Sequence, residues 1–334
     1  MRATRPVLPR PTFLARPVAA LTRAGGVALL VAALAGCESG PLAQGGAPHS
    51  APRPLPAPDT AGPPAPSAES EGMRAYYTQI TATLASQGLL RQDIAPRDAP
   101  FGARQLVNNF IRIALYDEYA TQGGTIIARQ SPSRLRRWEV PVRMSVEYGA
   151  SIPLDQRRKD SADISAFAGR LGRATGHPVS VVPQGGNFTV LVLNEDERRA
   201  IGPRLRALVP GIDPGSVRAV TDLSPATFCV VFAFSEARSA GYSRAVAVIR
   251  GEHPDLLRLS CLHEELAQGM GLANDSPRAR PSIFNDDEEF ALLTRHDELL
   301  LRILYDPRLR PGMTEAEARP IIETIAAELL GGES

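Results

Sequence analysis

Between Cys261 and Asp275 the chain reads CLHEELAQGMGLAND, which brings a thiol, an imidazole, carboxylates and amides together at helical spacing. Placed on a helix, Glu264 and Gln268 are four apart and share one face with Cys261, while Leu259, Leu262, Leu266 and Met270 form an apolar stripe opposite. The His263-Glu264 pair suggests a H-E-x-x-H zinc helix, but the position of the second histidine is Ala267. One register later the pattern is Glu264-Glu265-x-x-Gln268-x-x-Gly271-x-x-Asn274-Asp275. A carboxylate, an amide and a second carboxylate or amide after a glycine turn could gather around one point. Their donors are all oxygens, which suit a hard cation or none, and zinc prefers imidazole and thiolate. No metal and no other cofactor is therefore expected.

That spacing resembles the metzincin metalloprotease consensus H-E-x-x-H-x-x-G-x-x-H with every zinc ligand replaced. The resemblance implies Glu265 at the general-base position, the one catalytic candidate, with Glu264, Gln268 and either Asn274 or Asp275 at the degenerate ligand positions. It continues through Ser282-Ile283-Phe284-Asn285-Asp286, where Phe284 occupies the place of the turn methionine, and through a helix ending Leu304-Tyr305. Trp138-Glu139-Val140-Pro141-Val142 is similar to the first strand of that fold. Three stretches, Cys261-Leu262-His263-Glu264-Glu265-x-x-Gln268-x-x-Gly271-Leu272-x-Asn274-Asp275, Ser282-Ile283-Phe284-Asn285-Asp286 and Leu304-Tyr305-Asp306-Pro307-Arg308-Leu309-Arg310-Pro311-Gly312-Met313, resemble the domain of unknown function 2927 family of alphaproteobacterial lipoproteins. That likeness implies a location and a fold, and no activity.

Other candidates carry less. His263 sits beside the apolar stripe and reads as a partly buried structural histidine. His296 falls in a helix first turn and reads as a surface residue. The acidic run Asp286–Glu289 lacks the alternating D-x-D-x-D-G pattern of a calcium loop and reads as solvated. Gly185-Gly186-Asn187 reads as a turn between strands, and Ser282 lacks a nucleophile-elbow setting. The formal charge is +1, from 37 basic and 36 acidic residues, and excludes a protein built to hold nucleic acid.

The elements that must position these residues follow from periodicity. Helices are expected over 73–90, 98–114, 160–175 and 195–208. Alternating strands are expected over 137–147, 179–182, 188–193, 228–234 and 243–249. Pro141 directs its strand to an edge or an early position. From Pro254 onward the chain reads as helix and loop, with capping-box spacing at Thr294/Asp297 and Thr314/Glu317. The expected fold is α+β: a single metzincin-like (zincin) domain over 74–334, a mixed sheet backed by helices, with a C-terminal helical part.

The N-terminal 36 residues carry five arginines and no acid, then the apolar run Gly25–Gly36. A run of this length is too short for a comfortable transmembrane helix and fits a secretory signal. Its end, Leu34-Ala35-Gly36-Cys37, resembles the bacterial lipobox, which implies residues 1–36 as signal peptide and Cys37 as a lipidated N-terminus. Residues 37–73 read as a Pro/Ala-rich disordered tether, with nine prolines. Removing five of the 37 basic residues leaves a net charge of −4. Cys229 and Cys261 then remain as an even pair in an oxidising compartment, and a disulfide between them is expected. The expectation is a lipid-anchored protein on the periplasmic face, the outer membrane favoured, with a protein or envelope component as partner. A cleft that binds a polypeptide or envelope component without zinc hydrolysis leads. A divergent metallopeptidase using Glu265, and a structural envelope scaffold, are the alternatives.

Overall fold

A computed structural model describes residues 63–331, apart from 123–124, 237–238 and 286; of 118–130 the backbone alone is considered. Cys37, the signal segment and most of the tether lie outside the described residues. Among the described residues no helix is long and apolar enough to cross a membrane.

Five strands build the central sheet: β4 (Val142–Tyr148), β5 (Val179–Val181), β6 (Phe188–Leu193), β7 (Cys229–Ser235) and β8 (Gly241–Arg250). Their order is β5-β4-β6-β8-β7, with a two-residue β3 (Arg137–Trp138) pairing the start of β8. The first four run parallel and β7 is antiparallel to β8. The sheet is thus mixed, as expected, and helices cover both of its faces. Period-two alternation divides its side chains. Phe188, Val190 and Val192 of β6 and Ala245, Ala247 and Ile249 of β8 enter the larger core. Leu191, Leu193, Val246 and Val248 point the other way, into a smaller one. A parallel strand covered on both faces needs a continuous apolar run, and all six residues of β6 are buried.

The larger core is closed by α2 (Ala103–Ala114), α3 (Leu154–Thr175), α7 (Asp255–Gln268), α8 (Arg295–Leu304) and α9 (Glu315–Gly331). The smaller one is closed by α5 (Gly202–Leu208) and α6 (Pro214–Thr221), which follow the short α4 (Glu195–Ala200). The first helix, α1 (Ala68–Ser86), begins earlier than read because Ser67 caps it, accepting the Ser70 N–H at 3.1 Å. The strand read over 137–147 is broken between β3 and β4. Pro141 immediately precedes β4, an internal strand, so its meaning is the early position and not an edge. The helix read over 195–208 is two helices, α4 and α5, broken at Ile201. The hairpin β1 (Tyr116–Gln122) and β2 (Thr125–Pro132), and α6, were not foreseen from the pattern. Both expected capping boxes form, at Thr294/Asp297 and Thr314/Glu317.

Candidate functional site

The helix α7 opens after Pro254 and runs to Gln268, and the chain must then reverse. Gly271 makes the reversal at φ +126°, where a Cβ would stand 2.4 Å from the Arg136 carbonyl oxygen. Only glycine fits. Gly269 has ordinary helical angles, but a Cβ there would stand 2.4 Å from the Phe188 ring, which would have to shift. Two large side chains hold the helix end in place. Trp138 Nε1–H donates to the Gly269 carbonyl at 2.8 Å and Tyr305 O–H donates to that of Met270 at 2.9 Å. These satisfy carbonyls that the helix terminus leaves without intrahelical partners.

Opposite α7 stands β7. Cys229, at the start of the strand, is disulfide-bonded to Cys261 of the helix, as the even cysteine count implied. The two walls enclose a cleft of about 610 Å³. Its helix side carries Glu264, Glu265 and Gln268, its strand side runs from Cys229 to Ala233, and α6 adds Ser216 and Ala219. Asp117 and Arg136 form an ion pair on its rim. Among the described residues no strand pairs with the outer edge of β7.

Four of the five sequence-predicted residues meet here. Glu265 and Gln268 are buried, at 4% and 9% exposure, and still line the cleft; Glu264 is half-buried. Gln268 Nε2–H donates to Asp275 Oδ1 at 3.0 Å, so Asp275 takes the position after the turn. Asn274 does not. It is fully buried, its N–H donates to the Ile113 carbonyl at 3.1 Å, and its Nδ2–H donates to that of Arg112 at 2.7 Å. Its side chain caps the end of α2, and the turn directs the next residue into the cleft instead. The apolar stripe is also broader than the helical wheel gave. Leu257 is buried and Leu259 only half so, because α7 is covered on nearly every side.

The donor set does not fit zinc. Glu264, Gln268 and Asp275 offer only oxygens, and the Gln268 amide is already bonded to Asp275. The Cys229 sulfur lies within 4.8 Å of Glu264 and Glu265 oxygens, but the disulfide removes it as a thiolate ligand. Two glutamates side by side on a cleft wall can accept hydrogen bonds from peptide N–H groups or attract a basic side chain.

His263 is structural, as its place beside the stripe implied. It stacks on Phe167 with ring centroids 4.0 Å apart, and Nδ1 accepts the Leu293 N–H at 3.2 Å. Burial, helped by the charge of Arg170, lowers its pKa to about 3. His296 is the reverse of its reading. It is fully buried, edge-on to Phe101, and its Nε2 accepts from Asn109 Nδ2 at 3.0 Å. Of the acidic run, Glu289 is not free in solvent: it pairs with Arg91 at 2.9 Å and Arg280 at 2.6 Å. Ser282 Oγ–H donates to Asp297 at 2.5 Å and serves the turn before α8.

Sequence reasoning missed a second buried assembly next to the cleft. Glu195 accepts from Arg198 and Arg250, each at 2.6 Å, with all three side chains nearly inaccessible. Glu252 Oε1 accepts the Glu195 N–H at 2.5 Å, and burial raises the Glu252 carboxyl. His253, whose pKa burial drives well below its ordinary value, lies edge-on to Tyr77 at 4.4 Å. The Glu195–Arg198 pair has ordinary i, i+3 helix spacing, but no spacing rule links it to Arg250 and Glu252, more than fifty residues on.

No curated protein and no solved structure matches the chain. A family model, described as protein of unknown function (DUF2927), matches residues 103–324, a stretch that holds the sheet, the cleft and the helices behind it. The chain belongs to this family.

Proposed function

We infer that this protein is a polypeptide-binding member of the cell envelope, built on a metzincin-like frame that has lost zinc hydrolysis. The observation that carries the reading is the outer edge of β7, facing the carboxylates of α7 across the cleft. An unpaired edge offers a row of backbone N–H and C=O groups that an extended chain can match as an added strand. Glu264 and Glu265 opposite it supply acceptors for that chain's own amides or basic side chains. The order of elements favours the metzincin-like frame. A strand, a helix and two parallel strands, then, after the inserted α4 to α6, an antiparallel edge strand and a long strand lead into the helix with its glycine turn. The bonded cysteine pair agrees with an oxidising compartment, and the lipobox-like segment at Cys37 supplies the anchor.

Hydrogen exchange tests the binding reading. A pool of unstructured decapeptides should slow exchange of backbone amides in Cys229–Ser235 and leave those of Val179–Val181, at the opposite sheet edge, unchanged. Gln268→Arg, which fills the cleft, should abolish the protection. Unchanged exchange in β7 across the pool would overturn the reading and leave a scaffold role. Peptide cleavage together with a stoichiometric transition metal lost in Glu264→Ala would overturn it in favour of a metallopeptidase.

A further inference from the structure

A second concavity, separate from the cleft, is lined by arginine. On α2, Arg104, Asn108 and Arg112 recur every fourth residue and so form one line along the helix. The opposite face, with Leu106, Phe110 and Ile113, is buried in the core. The line borders a pocket of about 520 Å³, whose other walls are Ser276 and Arg278 after the cleft turn and Glu315 and Arg319 in α9. Four guanidiniums thus face a single carboxylate. Glu315 is bonded to Arg319 at 2.6 Å. Arg104, Arg112 and Arg278 have no carboxylate partner among the described residues, unlike Arg198, Arg250 and Arg258, which are buried against acids.

The walls are tied to one another. Arg112 lies over the Tyr116 ring, 4.5 Å from its centroid, and Tyr116 O–H donates to Glu315 at 3.3 Å, so α2 is linked to α9 across the pocket. Gln105 Nε2–H donates to the Arg280 carbonyl at 2.7 Å and links α2 to the segment carrying Arg278. Arg112 is held by Tyr116 and Arg319 by Glu315, while Arg104 and Arg278 are exposed at the rim. Guanidiniums approaching from three separate segments match an anion whose oxygens point in several directions, and their forks bind phosphate oxygens in pairs. The pocket is in the size range of small-molecule sites, so its ligand is larger than one phosphate.

We propose that the pocket between α2, residues 276–278 and α9 binds a phosphorylated ligand carrying more than one anionic group, either a soluble molecule or a lipid headgroup. The experiment is calorimetric titration of the protein with inorganic pyrophosphate at about 0.15 M salt, beside sedimentation with phosphatidylglycerol and with phosphatidylcholine vesicles. Arg104 and Arg278 are exposed, so Arg104→Gln and Arg278→Gln leave the fold intact. Saturable binding of one pyrophosphate, weakened at least tenfold by each substitution and unchanged by Arg158→Gln on the exposed side of α3, supports the site. Vesicle binding selective for phosphatidylglycerol, lost in the same variants and competed by pyrophosphate, supports the headgroup as source; pyrophosphate binding alone supports a soluble one. Absence of both, or binding that Arg158→Gln weakens as much as Arg278→Gln, overturns the proposal.

Discussion

Acid should destabilise this protein through His263, and the size of the effect can be worked out. In the folded chain the imidazole is sandwiched on Phe167 and its Nδ1 is committed as acceptor to the Leu293 N–H. Protonation would turn that acceptor into a donor facing a donor, beside the Arg170 guanidinium, which itself pairs with Glu298 at 2.7 Å. The ring therefore stays neutral down to about pH 3, whereas in the unfolded chain it takes up a proton near pH 6.5. The unfolded state binds the extra proton in that window, so the stability is fully present above pH 6.5 and is lost as pH falls. One proton corresponds to about 1.4 kcal/mol per pH unit, or about 2.7 kcal/mol by pH 4.5, a large share of a typical total of ~5–15 kcal/mol. Urea unfolding at fixed pH steps from 7.5 to 4.5 measures this. His263→Gln keeps an acceptor without a titrating group. It costs about 1–2 kcal/mol at neutral pH and should flatten the slope by close to one proton. His253 contributes with the same sign in both proteins and cancels in the comparison. Equal slopes for the two proteins, or a folded-state His263 titration near pH 6.5 by NMR, would refute the reasoning.

Reducing the Cys229–Cys261 bond releases a loop closed over 32 residues, and should lower stability by roughly 3–4 kcal/mol, read as a fall in the urea midpoint with dithiothreitol. Gly271→Ala sets a Cβ against the Arg136 carbonyl at positive φ. It should destabilise by about 3 kcal/mol, whereas Gly88→Ala, with open space around it, should cost clearly less in the same melt. Under the proposed anchoring, wild-type protein should sediment with membranes and Cys37→Ser should not, and mass spectrometry of the peptide containing Cys37 should find acyl chains on it.

Much of the fold is local and was legible. The nearly continuous apolar run of β6, interrupted only by Thr189, the capping boxes and the glycine after α7 each follow from rules that act within a few residues. What escaped depends on contacts distant in sequence. Whether Asn274 or Asp275 enters the cleft is decided by the α2 carbonyls that claim Asn274, about 160 residues earlier in the chain. His296 looks exposed by its place in a helix first turn, but Asn109 and Phe101 of the α2 region close over it. The β1–β2 hairpin lacks the alternating apolar pattern of the core strands, and α6 is so short that its single i, i+3 pair, Val217 and Val220, does not establish a period. The edge position of β7, which makes the cleft, is a property of sheet order and cannot be read from the strand itself.

The cleft is held open by covalent and hydrogen-bonded ties. In a zinc site the ion joins a helix to the segment beyond its turn by drawing ligands from both. In this chain Gln268 and Asp275 make that connection directly, with a 3.0 Å hydrogen bond between helix and post-turn segment. The disulfide fixes the distance between helix and edge strand, and Trp138 and Tyr305 fix the helix end against the body of the domain. A metal would add little to the geometry, and an amide bonded to a carboxylate is a poor ligand in place of imidazole. Under the polypeptide-binding proposal this has a consequence. Gln268→His would have to break the bond to Asp275 before its imidazole could offer zinc a nitrogen. That single substitution should therefore weaken the tie between α7 and the 273–275 segment without creating a zinc site.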